Sequence, residues 1–137
     1  MNSNLFIYKN PIIAALCSLA MAVVIGAFGA HLVADQISDH YMDIYKTASL
    51  YHYIHSIGWL LVVVLCIQLG IHELKWISVF FLSGLLFFCG SLYIISFNEM
   101  LDMPDLRKFG AVAPIGGLSF IGAWLYTAYK VSKRLSA

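Results

Sequence analysis

The sequence is poor in charge. Only 11% of its 137 residues are Asp, Glu, Lys or Arg, and 61% are hydrophobic. A soluble domain of ordinary composition carries about 25% charged residues, and a chain this short has too little interior to bury so much apolar surface. The same scarcity excludes disorder, which goes with few hydrophobes and high charge. Basic runs are also missing, and the formal net charge is +1, so a nucleic-acid partner is excluded. Three cysteines, Cys17, Cys66 and Cys89, stand singly in apolar stretches without a Cys-x-x-Cys, which argues against a disulfide framework or a zinc knuckle. They read as small hydrophobes in packed helices.

What the sequence has instead is long apolar runs. A bilayer core takes about 20 apolar residues per helix. Four stretches reach that length, at about 11–31, 48–70, 76–97 and 109–129. All seven acids, Asp35, Asp39, Asp43, Glu73, Glu99, Asp102 and Asp105, fall outside them, as do the Lys and Arg residues. A charge at the bilayer centre costs about 3 kcal/mol on insertion scales, so this partition supports four spans. The fold expected is all-α: a four-helix transmembrane bundle, up-down-up-down, forming a single membrane domain over residues 1–137. The first apolar run is too long for a signal-peptide core and reads as a retained span. The turn at Gly70–Glu73 is short enough to make spans two and three antiparallel neighbours.

Four spans put both termini and this turn on one face. That face holds Lys9, Lys75, Lys130, Lys133 and Arg134, against Lys46, Arg107 and Lys108 opposite. The positive-inside rule then places both termini in the cytoplasm, in a cell inner (plasma) membrane. Within lipid, helices associate through small residues. Span one offers Ala22, Gly26 and Ala30; span three offers Gly84, Gly90 and Ser91; span four offers Gly116, Gly117, Ser119, Ala123 and Thr127. Tyr8, Trp59, Trp76, Tyr126 and Tyr129 read as an aromatic belt with core packing.

The polar residues inside the spans gather toward the loop-side end. His31 closes span one, and Tyr51, His52 and His55 open span two. Ser91, Tyr93 and Asn98 lie in the outer half of span three, and Pro114 stands about a turn into span four. Gly26-Ala27-Phe28-Gly29-Ala30-His31, then Tyr51 and His55, then Gly90-Ser91-Leu92-Tyr93, then Pro114-Ile115-Gly116-Gly117-Leu118 with Trp124 follow one another in order. In these motifs, over about Ile12 to Val131, the chain resembles the domain of unknown function 423 family of small bacterial membrane proteins, related to transmembrane protein 256. The resemblance implies a four-span inner-membrane protein and no particular activity. His52 stands where the resemblance leads one to expect Gln, so a two-histidine site is not part of what it implies.

Several chemistries are open to this cluster. His52 and His55, three apart on a helix, could be joined by His31 to hold a metal or haem iron. The same outer-leaflet pocket could take a quinone or a lipid. A third reading is structural. A proline inside a helix frees the carbonyl four residues back, here that of Gly110, and in lipid that group needs a donor from His55, Tyr51, Ser91 or Tyr93. An enzyme is not expected. The spans hold no carboxylate for a proton relay. Ser56 beside His55 points away from it on the helix, and nothing in the sequence orients a histidine toward Ser91. A transporter would show repeated, broken halves. The sequence therefore favours a non-catalytic structural or accessory subunit of a membrane assembly, with no cofactor. Its surroundings would be the lipid bilayer and either a membrane-protein partner or further copies of itself.

Overall fold

The computed structural model describes residues 6–101 and 106–136, so Asp102 and Asp105 lie outside the described residues. The chain is an all-α bundle of four helices long and apolar enough to cross a membrane, with no strand among the described residues. Helix α1 runs Phe6–Val33, α2 Asp39–Leu69 and α3 Lys75–Ser96. A 3-10 segment, Leu106–Ala111, leads into α4, Ala113–Leu135.

The helices overrun the expected spans where the physics allows. Helix α1 is already formed at Phe6, five residues before Pro11, and carries Phe6, Ile7 and Tyr8 ahead of the polar pair Lys9 and Asn10. Helix α2 is 31 residues long, about 46 Å, against a hydrocarbon core of about 30 Å. Its first turns, from Asp39 to Thr47, carry the polar residues, so the helix is longer than a hydrocarbon core requires. Helix α4 runs on to Leu135 and carries Lys130, Lys133 and Arg134 in its last turns, where cations suit the negative end of the helix dipole.

Helix α3 packs against both α2 and α4, while α1 packs against α2. In their most apolar stretches α1 is 17% buried and α2 44%, so α1 is the peripheral helix and α2 the central one. The core runs through Trp59, Val63 and Cys66 of α2, Ile77, Phe81 and Cys89 of α3, and Phe120 and Ala123 of α4. Trp59 stacks nearly parallel to Phe81, which also meets the Trp124 ring edge-on.

Glycines set the closest crossings. Gly84 faces the ring of Phe120, Gly58 the ring of Trp124, and Gly116 the main chain of Phe87 and Phe88. That last crossing coincides with a π-helical turn, Leu85–Cys89, inside α3. A second π-turn, Gly29–Val33, ends α1. Ala15, Ala22 and Gly29, spaced seven apart, are the buried small residues of α1, and Gly26 rests on Tyr53. Ala30 is exposed. Gly90 has open space where a side chain would stand, with no helix pressed against it. On α4, Gly116 and Ala123 are buried, while Gly117 and Ser119 are half-buried.

Candidate functional site

The polar residues of the bundle divide into a histidine network within it and a polar knot at the end that carries the Gly70–Leu74 turn. Starting from α2, His52 reaches in two directions. Its Nε2 shares a hydrogen bond with Ser18 Oγ of α1 at 3.2 Å, and its Nδ1 meets Tyr93 Oη of α3 at 3.4 Å. Ser18 also bonds Ser56 Oγ at 2.6 Å. One histidine thus links three helices. The sequence did not single out Ser18; the signal available was a lone hydroxyl in the middle of an apolar run.

His55 turns to another neighbour. Its ring lies on Phe120 of α4, centroids 3.5 Å apart and nearly parallel, with Tyr51 stacked at 5.5 Å. Nδ1 donates to the Tyr51 carbonyl at 2.8 Å, which assigns the proton to that nitrogen. Ser91 donates to the Phe88 carbonyl of its own helix, and Ser96 to that of Leu92. Tyr51, partly exposed, packs its ring on Phe88.

His31 stands apart, exposed on the π-turn of α1. Among the described residues no three His, Cys, Asp or Glu side chains come together as metal ligands would. Pro114 corrects an expectation. It lies in the first turn of α4 rather than a turn inside a longer α-helix, since the segment before it is 3-10. A missing N–H is tolerated there.

Two side chains that the sequence did not single out fasten the loop-side end. Tyr45 donates to the Ile25 carbonyl at 2.5 Å, its ring lying against Gly29. Glu99 accepts from both the amide and the hydroxyl of Ser38, at 2.6 and 2.9 Å, and so ties the loop after α1 to the loop after α3.

At the opposite end α2 stops at Gly70, whose φ of 62° is left-handed. The Gly70 amide donates to the Ile67 carbonyl and the Ile71 amide to that of Cys66, a paired closure of the helix end. Arg134 Nε takes the Leu69 carbonyl at 2.7 Å. Tyr8 donates to the Ile71 carbonyl at 3.0 Å and lies 2.9 Å from His72 Nδ1. Lys130 pairs with Glu73. The Lys130 ammonium holds the Glu73 carboxyl below the usual carboxylate range. Helices α1 and α4 are thus both tied to the turn between α2 and α3.

The family described as "Protein of unknown function (DUF423)" matches residues 25–117. A UPF0382 membrane protein of Staphylococcus haemolyticus is 38% identical over 114 residues, covering 83% of this chain and 87% of its own length. One from Staphylococcus epidermidis is 37% identical, covering 85% and 90%. The UPF0382 membrane protein YwdK of Bacillus subtilis is 33% identical over 128 residues, covering 93% and 99%. No solved structure matches the chain significantly. On the family match and on these near full-length relatives, the chain belongs to the DUF423 family and is a multi-pass membrane protein.

Proposed function

We propose that the protein is a non-catalytic structural or accessory component of a membrane assembly, seated in the inner (plasma) membrane with both termini in the cytoplasm. The observation that carries this reading is the use made of the histidine network. His52 is engaged between Ser18 and Tyr93, and His55 between the Tyr51 carbonyl and the Phe120 ring. These contacts join helices and cap carbonyls. The one serine–histidine contact among them, Ser18 with His52, is spent across helices with Ser18 also bonded to Ser56, and no ligand set gathers among the described residues. A metal, haem, quinone or lipid held jointly by His31, His52 and His55 gains no support from this arrangement, because the three imidazoles face different surroundings. The peripheral seat of α1 supports the accessory role, since its outward faces are available to lipid or to another subunit. The charge count of the two faces supports the orientation.

Gentle detergent extraction followed by native mass spectrometry tests the role. A stoichiometric second protein, or a defined homo-oligomer, is the expected result. A monomer carrying one small-molecule chromophore per chain would overturn it.

A further inference from the structure

Two cavities adjoin at the turn-side end. The larger, about 860 Å³, is a cleft between the first half of α1 and the start of α3, walled by Ile7, Pro11, Ala14, Val79 and Leu82 above Trp59. It exists because these two helices are held together through α2 and the turn, leaving a gap toward the bilayer. The smaller, about 360 Å³, lies between the Gly70–Glu73 turn and the end of α4, where Lys130, Lys133 and Arg134 line it. His72 and Glu73 border both.

The charges in the smaller cavity do not cancel. Glu73 is matched by Lys130, which leaves the charges of Lys133 and Arg134 in excess. Arg134 spends Nε on the Leu69 carbonyl, and one terminal guanidinium nitrogen is turned toward Gly70, 3.5 Å from where a Cβ would stand. A Cβ there would make only ordinary contact with the guanidinium, and what calls for glycine at position 70 is its left-handed φ. The excess charge sits at the end of a helix long and apolar enough to cross a membrane, the end where a headgroup would lie, and beside a cleft of mainly apolar lining. A free anion would use the cradle alone, and a neutral lipid the cleft alone. An anionic phospholipid uses both.

We propose that this end of the bundle binds one anionic glycerophospholipid, its phosphate held by Lys133 and Arg134 and an acyl chain laid in the α1–α3 cleft. The inference goes beyond the accessory role and stands whichever way that role is decided. Basic pockets between membrane helices are suited to such headgroups.

The test uses the full chain, delipidated in detergent, with dioleoyl phosphatidylglycerol, dioleoyl phosphatidylcholine and inorganic phosphate as probes, read by native mass spectrometry and thermal unfolding. One phosphatidylglycerol per chain is expected to bind and raise the melting temperature, with phosphatidylcholine at least about ten-fold weaker. Each basic side chain at an anionic surface is worth roughly five-fold in affinity, so Lys133→Gln should weaken binding about five-fold and Lys133→Gln with Arg134→Gln about thirty-fold. Because Arg134 also caps α2, the single Lys133→Gln variant decides if the double variant fails to fold. Leu82→Trp, which fills the cleft without changing charge, should weaken phosphatidylglycerol as well. Equal binding of the two lipids, an unchanged affinity in folded Lys133→Gln, or the full effect from inorganic phosphate alone would overturn the proposal.

Discussion

Gly116 of α4 lies against Phe88 of α3 in the tightest main-chain approach made by any described glycine: a Cβ on Gly116 would stand 2.1 Å from the Phe88 amide nitrogen. Main chain cannot rotate aside as a side-chain tip can. Gly116→Ala should therefore force α3 and α4 apart and cost about 1–3 kcal/mol, the range for overpacking a well-packed contact. Gly90→Ala is the control. With open space around it, the substitution should be neutral or stabilising by up to about 1 kcal/mol through helix propensity. Thermal or denaturant unfolding in detergent ranks the two, and equal effects would contradict the crossing described.

Ser18 and Ser78 offer a contrast between a satisfied and an unsatisfied hydroxyl. Ser18 Oγ contacts both Ser56 and His52, whereas the buried Ser78 Oγ has no partner among the described residues. Ser18→Ala should cost about 1 kcal/mol and loosen α1 from α2. Ser78→Ala should be neutral or mildly stabilising, because it removes a desolvated group that gains nothing in return. The same unfolding assay reads both, and a costly Ser78→Ala would mean that this hydroxyl has a partner after all.

The Glu73–Lys130 pair gives a pH dependence with a definite sign. The folded-state pKa of Glu73 lies below its ordinary value of 4.5. Its contribution is present above that value and is lost as pH falls through the depressed folded value. The pair is exposed and the effect correspondingly small. Glu73→Gln should flatten the stability profile below about pH 4.5 and leave the profile between pH 6 and 8 unchanged. A change confined to neutral pH would contradict the assignment.

The orientation is tested by labelling from outside intact cells with a membrane-impermeant thiol reagent. Gln36→Cys, in the exposed loop after α1, should react, and Ser136→Cys, at the exposed end of α4, should be protected. The reverse pattern would invert the topology and place the basic cradle in the outer leaflet.

The four helices were legible in the sequence because lipid imposes a length and a polarity that soluble folding does not. Their ends were less so. Nothing in a hydropathy run says that α2 already runs through Asp39–Thr47 ahead of its apolar stretch, or that the residues before Pro114 coil as a 3-10 segment. The small-residue stripes were partly legible. Ala22, Gly26, Gly116 and Ala123 lie at helix contacts, while Ala30 faces outward and Gly90 touches no neighbouring helix. The polar cluster was visible as a set of residues, but its pairing was not. Whether His52 and His55 act together depends on a rotation of about 60° between positions three apart on a helix, and that rotation sends one toward α1 and α3 and the other toward α4. The cradle was hidden because Gly70, Glu73 and the last turns of α4 are far apart in sequence and become neighbours through the antiparallel order of the spans.

On the proposed function, the histidines hold helices together and do not hold a cofactor. The most direct measurement is a pair of variants, His52→Phe and His55→Phe, purified in parallel with the parent and assayed for visible absorption, metal content and thermal stability. His52→Phe should cost about 1–3 kcal/mol, because it removes the imidazole partner of the buried Tyr93 hydroxyl and leaves the half-buried Ser18 with Ser56 alone. His55→Phe keeps the stack on Phe120 and should cost about 1 kcal/mol or less. Neither should change absorption or metal content. A stoichiometric chromophore or metal in the parent, lost from either variant, would contradict the claim and make the cluster a binding site.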